Sequence, residues 1–280
     1  FLHATFGQKY ATIIALLLKD ISMLVWPYPL CWDYSWKQIF PYNTFAQPVV
    51  WLALLVNGGA LYWAVRATKR RNPVAYGVWF YFIALSIVSN IVLNIGVAFA
   101  ERFLFMPSLG FCLAVGGLLL LGAYRLKGMG RPALVLALAL LVVPAFLLTW
   151  ARNAEWKTHE TLCLADVSRC PNSAKTNINA GDVSLFLAKK TKDEAERIRL
   201  LEDALRYYAR TVELTPKWFI ADSSLKVARA YLTTIYFDQA KAADDRGDKA
   251  GSAALLEKVV DVNPELAQVW SNLAVLHEET

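Results

Sequence analysis

Glu101 and Arg102 are adjacent ionisable residues between two long apolar runs, directly before Phe103-Leu104-Phe105-Met106-Pro107-Ser108-Leu109-Gly110. A charge at the edge of hydrocarbon is costly, so an ionisable pair there is a functional candidate by default. The planar arginine fork can grip a phosphate at two points, and the glutamate can orient that fork or meet a polar substrate. The same pair also suits a tight turn between spans, capped by its own charges. Asp33 follows Trp26-Pro27-Tyr28-Pro29-Leu30-Cys31-Trp32 and precedes Tyr34-Ser35-Trp36, an acid held among aromatic rings. Rings with a single acid suit a sugar face or an acceptor hydroxyl. The plainer alternative is an interfacial loop in which Asp33 caps a turn or short helix. Lys19 and Asp20 interrupt another apolar stretch, and either reach lipid phosphate or pair with each other.

Other chemistries find little support. His3, His159 and His277 are dispersed, and no CxxC or histidine-rich cluster offers metal-ligand spacing. Cys112 lies inside an apolar run and reads as packing. Cys163 and Cys170 are seven residues apart, about 10 Å of rise on one straight helix and too far for a bridge. A helix that ends before Cys170, as Pro171 permits, leaves them able to pair. Neither GxxxxGK[ST] nor GxGxxG occurs, so a nucleotide-driven transporter is unsupported. A transferase without a nucleotide site needs a donor already in the bilayer.

The elements that must position these residues are helices in a membrane. At 280 residues and 56% hydrophobic content, with mean hydropathy +0.35, the chain is too apolar for an ordinary soluble protein of its length. Phe45 to Val65, Val74 to Phe99, Phe103 to Tyr124 and Pro132 to Trp150 contain no Asp, Glu, Lys or Arg. Each is long enough to cross a bilayer, which takes about 20 residues. Tyr10 to Trp32 is a fifth candidate, broken by Lys19 and Asp20: a span whose charged pair faces protein, or an interfacial amphipathic helix. Arg66, Lys69, Arg70 and Arg71 fill one connection, and Arg125, Lys127 and Arg131 fill another, with no acid in either. Such loops are expected on the cytoplasmic side. The net charge of +6 therefore reads as topology, not as a nucleic-acid footprint. Asp33, Glu101, Arg102 and everything after Trp150 then fall together on the other side.

After Trp150 the composition turns charged and helix-forming, with proline-marked boundaries at Pro171, Pro216 and Pro264. Asn177, Ala180, Gly181, Ala204, Tyr208 and Pro216 fit the tetratricopeptide pattern, and Trp270, Leu273 and Ala274 restart it. The intervals between the prolines exceed the usual repeat of about 34 residues, which predicts elongated helix pairs. The polar runs Lys189 to Glu194 and Asp244 to Lys249 read as solvated connections. The expected fold is all-α: a transmembrane helical domain over 1–150, a linker or first luminal helix over 151–171, and a luminal repeat solenoid over 172–280 with its last unit cut short. A first residue of Phe1 and the repeat opening near Thr280 predict a fragment of a longer protein.

Three stretches, WPYPLCWDYSW from Trp26, AERFLFMPSLGFC from Ala100 and CPNSAKTNINAG from Cys170, together resemble the transmembrane and tetratricopeptide-repeat O-mannosyltransferases. Their order, and the single span between Gly130 and Trp150, resemble that family too. The resemblance implies a polytopic glycosyltransferase of the endoplasmic reticulum membrane with luminal repeats. It implies inverting transfer of mannose from dolichyl phosphate mannose, or from another polyprenyl phosphate mannose, to Ser or Thr of secreted-type domains such as cadherins. No cofactor is identified beyond that lipid-linked donor, and a divalent metal on its phosphate is left open. Glu101 and Arg102 become candidates for the donor phosphate, and Asp33, Tyr34, Trp36 and Pro107 for the cavity wall. The family's principal catalytic acid lies in a first luminal loop and is expected upstream of Phe1, so no catalytic base is assigned. A non-catalytic membrane scaffold recruiting luminal or periplasmic partners is the competing reading, and a bacterial inner-membrane relative is the alternative compartment.

Overall fold

The computed structural model describes residues 5–35, 37–39, 42, 44–126 and 129–279, with side chains as far as Val275. Among these the chain is helical, without strands. It divides into two compact units, Phe1–Cys170 and Pro171–Thr280.

The first unit begins with α1 (Phe6–Val25), opened by a capping box in which Thr5 Oγ1 accepts from Gln8 N and Gln8 Oε1 accepts from Thr5 N. It runs unbroken through Lys19 and Asp20 and stops before Pro27. Thr12, Leu16, Asp20 and Met23 lie along its buried face, so Asp20 points into protein. Lys19 instead lines a cleft, and α1 is not among the helices long and apolar enough to cross a membrane, so the two readings of this segment stay open. Next come α2 (Pro48–Thr68), α3 (Pro73–Val88), a 3₁₀ turn (Glu101–Leu104), α4 (Phe105–Arg125), α5 (Gly130–Glu155) and α6 (His159–Arg169). From α1 to α6, helices consecutive in sequence pack together, with the 3₁₀ turn touching α1, α3 and α4. Pro48–Thr68, Glu101–Arg125 and Gly130–Glu155 are long and apolar enough to cross a membrane. The apolar window of α5 has none of its residues buried, as a lipid-facing helix should.

The run Val74 to Phe99 is not one span. Helix α3 stops after 16 residues, about 24 Å of rise against about 30 Å of hydrocarbon. The cause is Asn90, whose φ of 60° is left-handed, a conformation that Asn tolerates and β-branched neighbours do not. Its buried amide then replaces helical bonds, donating from Nδ2 to Val97 O at 2.8 Å and accepting from Ile95 N at 3.0 Å. The chain from Ser89 to Ala100 is therefore irregular, and it delivers Glu101 to the same end of the unit as the loop after α1. What remains of α3 packs closely on α4. A Cβ on Gly77 would lie 2.5 Å from Ala114 N, and one on Gly110 would lie 2.4 Å from Tyr81 N. Small residues are the means by which membrane helices approach at this range.

The second unit contains α7 (Ala174–Lys190), α8 (Glu194–Leu214), α9 (Phe219–Asp245), α10 (Lys249–Val262) and α11 (Ala267–Glu279), each packed on the next. Ser173, Asp193 and Asp248 cap α7, α8 and α10 with their side chains, so the polar runs supply helix starts as well as connections. The extra length sits mainly in α9, with 27 residues. Tyr208, fully buried, stacks where a Cβ on Gly181 would lie 2.6 Å from its ring, and its hydroxyl donates to Asp182 at 2.7 Å. Leu201, Leu232, Tyr236, Leu256 and Val259 form the larger core of this unit.

Candidate functional site

The loops at one end of the first unit converge on a small apolar core of Leu16, Met23, Cys31, Tyr34, Tyr81, Leu85, Phe99, Leu104 and Cys170. Polar groups are laid over it. Glu101, on the 3₁₀ turn, turns inward: its Oε1 accepts from Cys31 N at 2.7 Å and from the Tyr34 hydroxyl at 2.5 Å. The Tyr34 ring meets Phe99 edge-on at 4.9 Å. Burial, and then the bond to Glu101, holds the Tyr34 phenol well above its ordinary range. Tyr34 is thus a neutral donor, not a base.

Lys19 lies against the outer side of this assembly, its Nζ 4.5 Å from the Tyr34 ring centre and 4.7 Å from that of Phe99. Among the described residues it is the cation lining a cleft of about 420 Å³ with Ala15, Leu16, Gln38, Ile39, Tyr42 and Gln47. The sequence left Lys19 between lipid phosphate and pairing with Asp20; the structure gives it two aromatic faces and an open cleft. Arg102 is exposed, with its guanidinium carbon 5.4 Å from the ring centre of its neighbour Phe103.

Asp33 is buried, and its Oδ1 accepts from Ser35 N at 2.7 Å and from the Ser35 hydroxyl. This is the turn-capping geometry that competed with a sugar-facing role. Pro107 is buried in the first turn of α4, and Trp36 lies outside the described residues, as do the side chains of His3 and His277. Glu101, Tyr34 and Lys19 are therefore brought together, while Asp33 serves its own loop.

A second polar cluster went unnoticed in the sequence. Asp166 on α6, with 0% of its surface exposed, takes a two-point grip from Arg152 on α5, Nη1 to Oδ1 at 2.5 Å and Nη2 to Oδ2 at 2.9 Å. Oδ2 also accepts from Trp32 N at 2.7 Å. Glu155 bonds Arg152 and Arg169 in turn. The segment after α5 is thereby tied to the loop after α1, which Glu101 grips from the other side. The signal available was Arg-x-x-Glu at 152 and 155 answered by Asp-x-x-Arg at 166 and 169, two turn-spaced pairs of opposite polarity. Among the described residues no group of three or more His, Cys, Asp or Glu gathers as a metal site.

Comparison with known proteins follows the same lines. No family model matches the chain, and no solved structure matches it. Among curated proteins it is 29% identical over 168 residues to protein O-mannosyl-transferase TMTC4 of Mus musculus, 57% of this chain and 22% of that protein. It is 28% identical over 206 residues to protein O-mannosyl-transferase F38B6.6 of Caenorhabditis elegans, 72% of this chain and 27% of that protein. Against protein O-mannosyl-transferase TMTC1 of Homo sapiens the figures are 27% over 217 residues, 75% of this chain and 23% of that protein. The chain spans about a quarter of the length of these relatives. The chain, helical among its described residues and carrying three helices apolar and long enough to cross a membrane, is thus similar over more than half of its length to proteins named as O-mannosyl-transferases.

Proposed function

We propose that the chain is part of a protein O-mannosyltransferase that moves mannose from a dolichyl or other polyprenyl phosphate donor to Ser or Thr of luminal or secreted domains, cadherin-like ones among them. The observation that carries this reading is the similarity to proteins named for that activity across more than half of the chain. The site adds support. Lys19 in its cleft and exposed Arg102 are cations at the end of the membrane unit where Glu101 and Tyr34 meet. In the transfer the acceptor hydroxyl oxygen forms its bond to mannose C1 as the C1–O bond to phosphate breaks. The hydroxyl proton goes to a base, and the lipid phosphate leaves with the electron pair. Cations beside the phosphate stabilise that developing charge. Glu101 and Tyr34 are positioning residues, since Glu101 accepts from the Tyr34 hydroxyl and from Cys31 N. Neither is assigned as the base. The charge of the loops supports an extracytoplasmic position for this face and the tetratricopeptide-like helices, and the family resemblance points to the endoplasmic reticulum lumen as that compartment.

The test is mannose transfer by the full-length protein in microsomes, from polyprenyl phosphate mannose to a Ser- and Thr-bearing adhesion domain. Loss of one charge-assisted hydrogen bond, about 1.5–3 kcal/mol, corresponds to about 10- to 100-fold weaker donor binding. Arg102→Ala and Lys19→Met are each expected to raise KM for the donor by that order and to leave KM for the acceptor unmoved. Unchanged donor kinetics in both variants would refute the site. A full-length protein that captures the acceptor without transfer would support the scaffold reading instead.

A further inference from the structure

Cys31 and Cys170 are far apart in the chain and meet in the fold. Both are buried, at 1% and 2% exposure, and both belong to the apolar core under the loops. Their meeting point is the carbonyl of Asp166. Its oxygen accepts from Cys170 N at 2.8 Å, closing α6, and lies 4.0 Å from Cys31 Sγ. The Cys31 thiol donates to Asp33 O at 3.2 Å, and Cys170 stands near enough to it to be the first cause raising its pKa. Cys163, the partner that sequence spacing offered to Cys170, has its Sγ 3.5 Å from His159 Nε2, one turn back along α6. Each cysteine is also fixed from its other side. Cys31 N donates to Glu101, and Asp166, four residues before Cys170, grips Trp32 N and Arg152.

We infer that Cys31 and Cys170 form a disulfide in the mature protein, joining the aromatic loop after α1 to the end of α6. The inference rests on the reading that this face lies on the extracytoplasmic side, where disulfides persist. The two thiols lose two protons and two electrons; the electrons pass to the disulfide of a thiol–disulfide oxidoreductase, which becomes a dithiol, by exchange through a mixed disulfide. Cys170 beside it, and then burial, hold the Cys31 thiol well above its ordinary range. The thiolate needed for exchange is scarce once the pocket has closed. Oxidation therefore accompanies folding, and the finished bond is shielded from soluble reductant. It encloses a loop of about 140 residues, the long-loop case in which a cross-link restricts the unfolded chain most.

Peptide mapping of the full-length protein from microsomes tests this without any substitution. Free thiols are blocked with N-ethylmaleimide in denaturant, and the protein is then digested with trypsin before and after reduction. Trypsin cuts at Arg169 and so separates Cys163 from Cys170. The expected result is the peptide Asp20 to Lys37 joined to Cys170 to Lys175, with both cysteines protected until reductant is added. Cys31→Ser should expose the Cys170 thiol to the same reagent, and Cys170→Ser that of Cys31. Maleimide on both in the unreduced wild type, or Cys31 joined to Cys163, overturns the inference. An N-glycosylation acceptor placed in the Lys189 to Glu194 connection separates the causes. Free thiols with the acceptor modified overturn the bond alone, and free thiols with it bare overturn the orientation as well.

Discussion

Replacing Asp166 by Ala should be among the most damaging single changes in the first unit. The carboxylate is wholly buried, and it receives both arms of Arg152 as well as the Trp32 N–H. Breaking a buried ion pair by deleting one partner costs about 3–5 kcal/mol. Arg152 keeps Glu155 at 2.5 Å, which argues for the lower end, about 3 kcal/mol. The orphaned Trp32 N–H adds about 1 kcal/mol or more. At about 2–4 °C per kcal/mol for a unit of this size, the total of about 4 kcal/mol lowers Tm by about 8–16 °C. The assay is thermal unfolding of the full-length protein in detergent, followed by circular dichroism and by tryptic cleavage after Arg169. Because the pair is buried, the loss should persist at high salt, unlike that of a surface bridge. Arg152→Met with Asp166→Leu should recover much of the deficit, since an apolar pair leaves no uncompensated charge. Melting of Asp166→Ala within about 2 °C of wild type would refute the clamp, and so would a double variant no more stable than the single one.

Gly110→Ala should destabilise by about 1–3 kcal/mol, because its Cβ meets backbone that cannot rotate away, Tyr81 N at 2.4 Å. Gly116→Ala on the same helix, with nothing within 4 Å, should stay within about 0.5 kcal/mol; thermal melts of the two variants give the comparison. In the second unit, burial and then the bond to Asp182 raise the Tyr208 phenol above its ordinary range. A raised folded value means that stability is fully present below the unfolded phenol value of about 10 and is lost as pH climbs above it. Denaturation of the second unit should therefore begin near that pH, and Tyr208→Phe should flatten the alkaline limb when melts are repeated from pH 8 to 12.

Much of the architecture was readable because it depends on local composition. The charge-free runs mark α2, α4 and α5, whose lipid-facing surfaces need no partner to be recognised. Ser173, Asp193 and Asp248 carry the capping chemistry that starts α7, α8 and α10. The end of α3 was hidden, since hydropathy sees a neutral run through Asn90 while the backbone sees a residue suited to a left-handed turn. The site was legible only in part. Glu101 announced itself by standing with Arg102 between apolar runs, but its partners Cys31 and Tyr34 are 70 and 67 residues away. Asp166 and Arg152 looked like ordinary helix charges after the last span, and only the fold brings them to Trp32. Lys19 had an evident charged neighbour in Asp20, and nothing local revealed the rings of Tyr34 and Phe99 above it.

The fold also separates what the sequence presents as one pair. Successive residues on a 3₁₀ turn point about 120° apart, and neighbours in a helical turn do not face each other. Glu101 uses its direction to hold Cys31 N and the Tyr34 hydroxyl, whereas Arg102 is exposed. A turn capped by its own charge pair would have brought the two side chains together, with the carboxylate spent on the guanidinium. Here the carboxylate is spent on the aromatic loop, and that loop is anchored a second time through Trp32 to Asp166. Glu101→Gln should therefore act through the placement of Tyr34, and with it of the ring that faces Lys19. Arg102→Ala touches none of these bonds, so a change in donor affinity in that variant is attributable to the lost guanidinium itself.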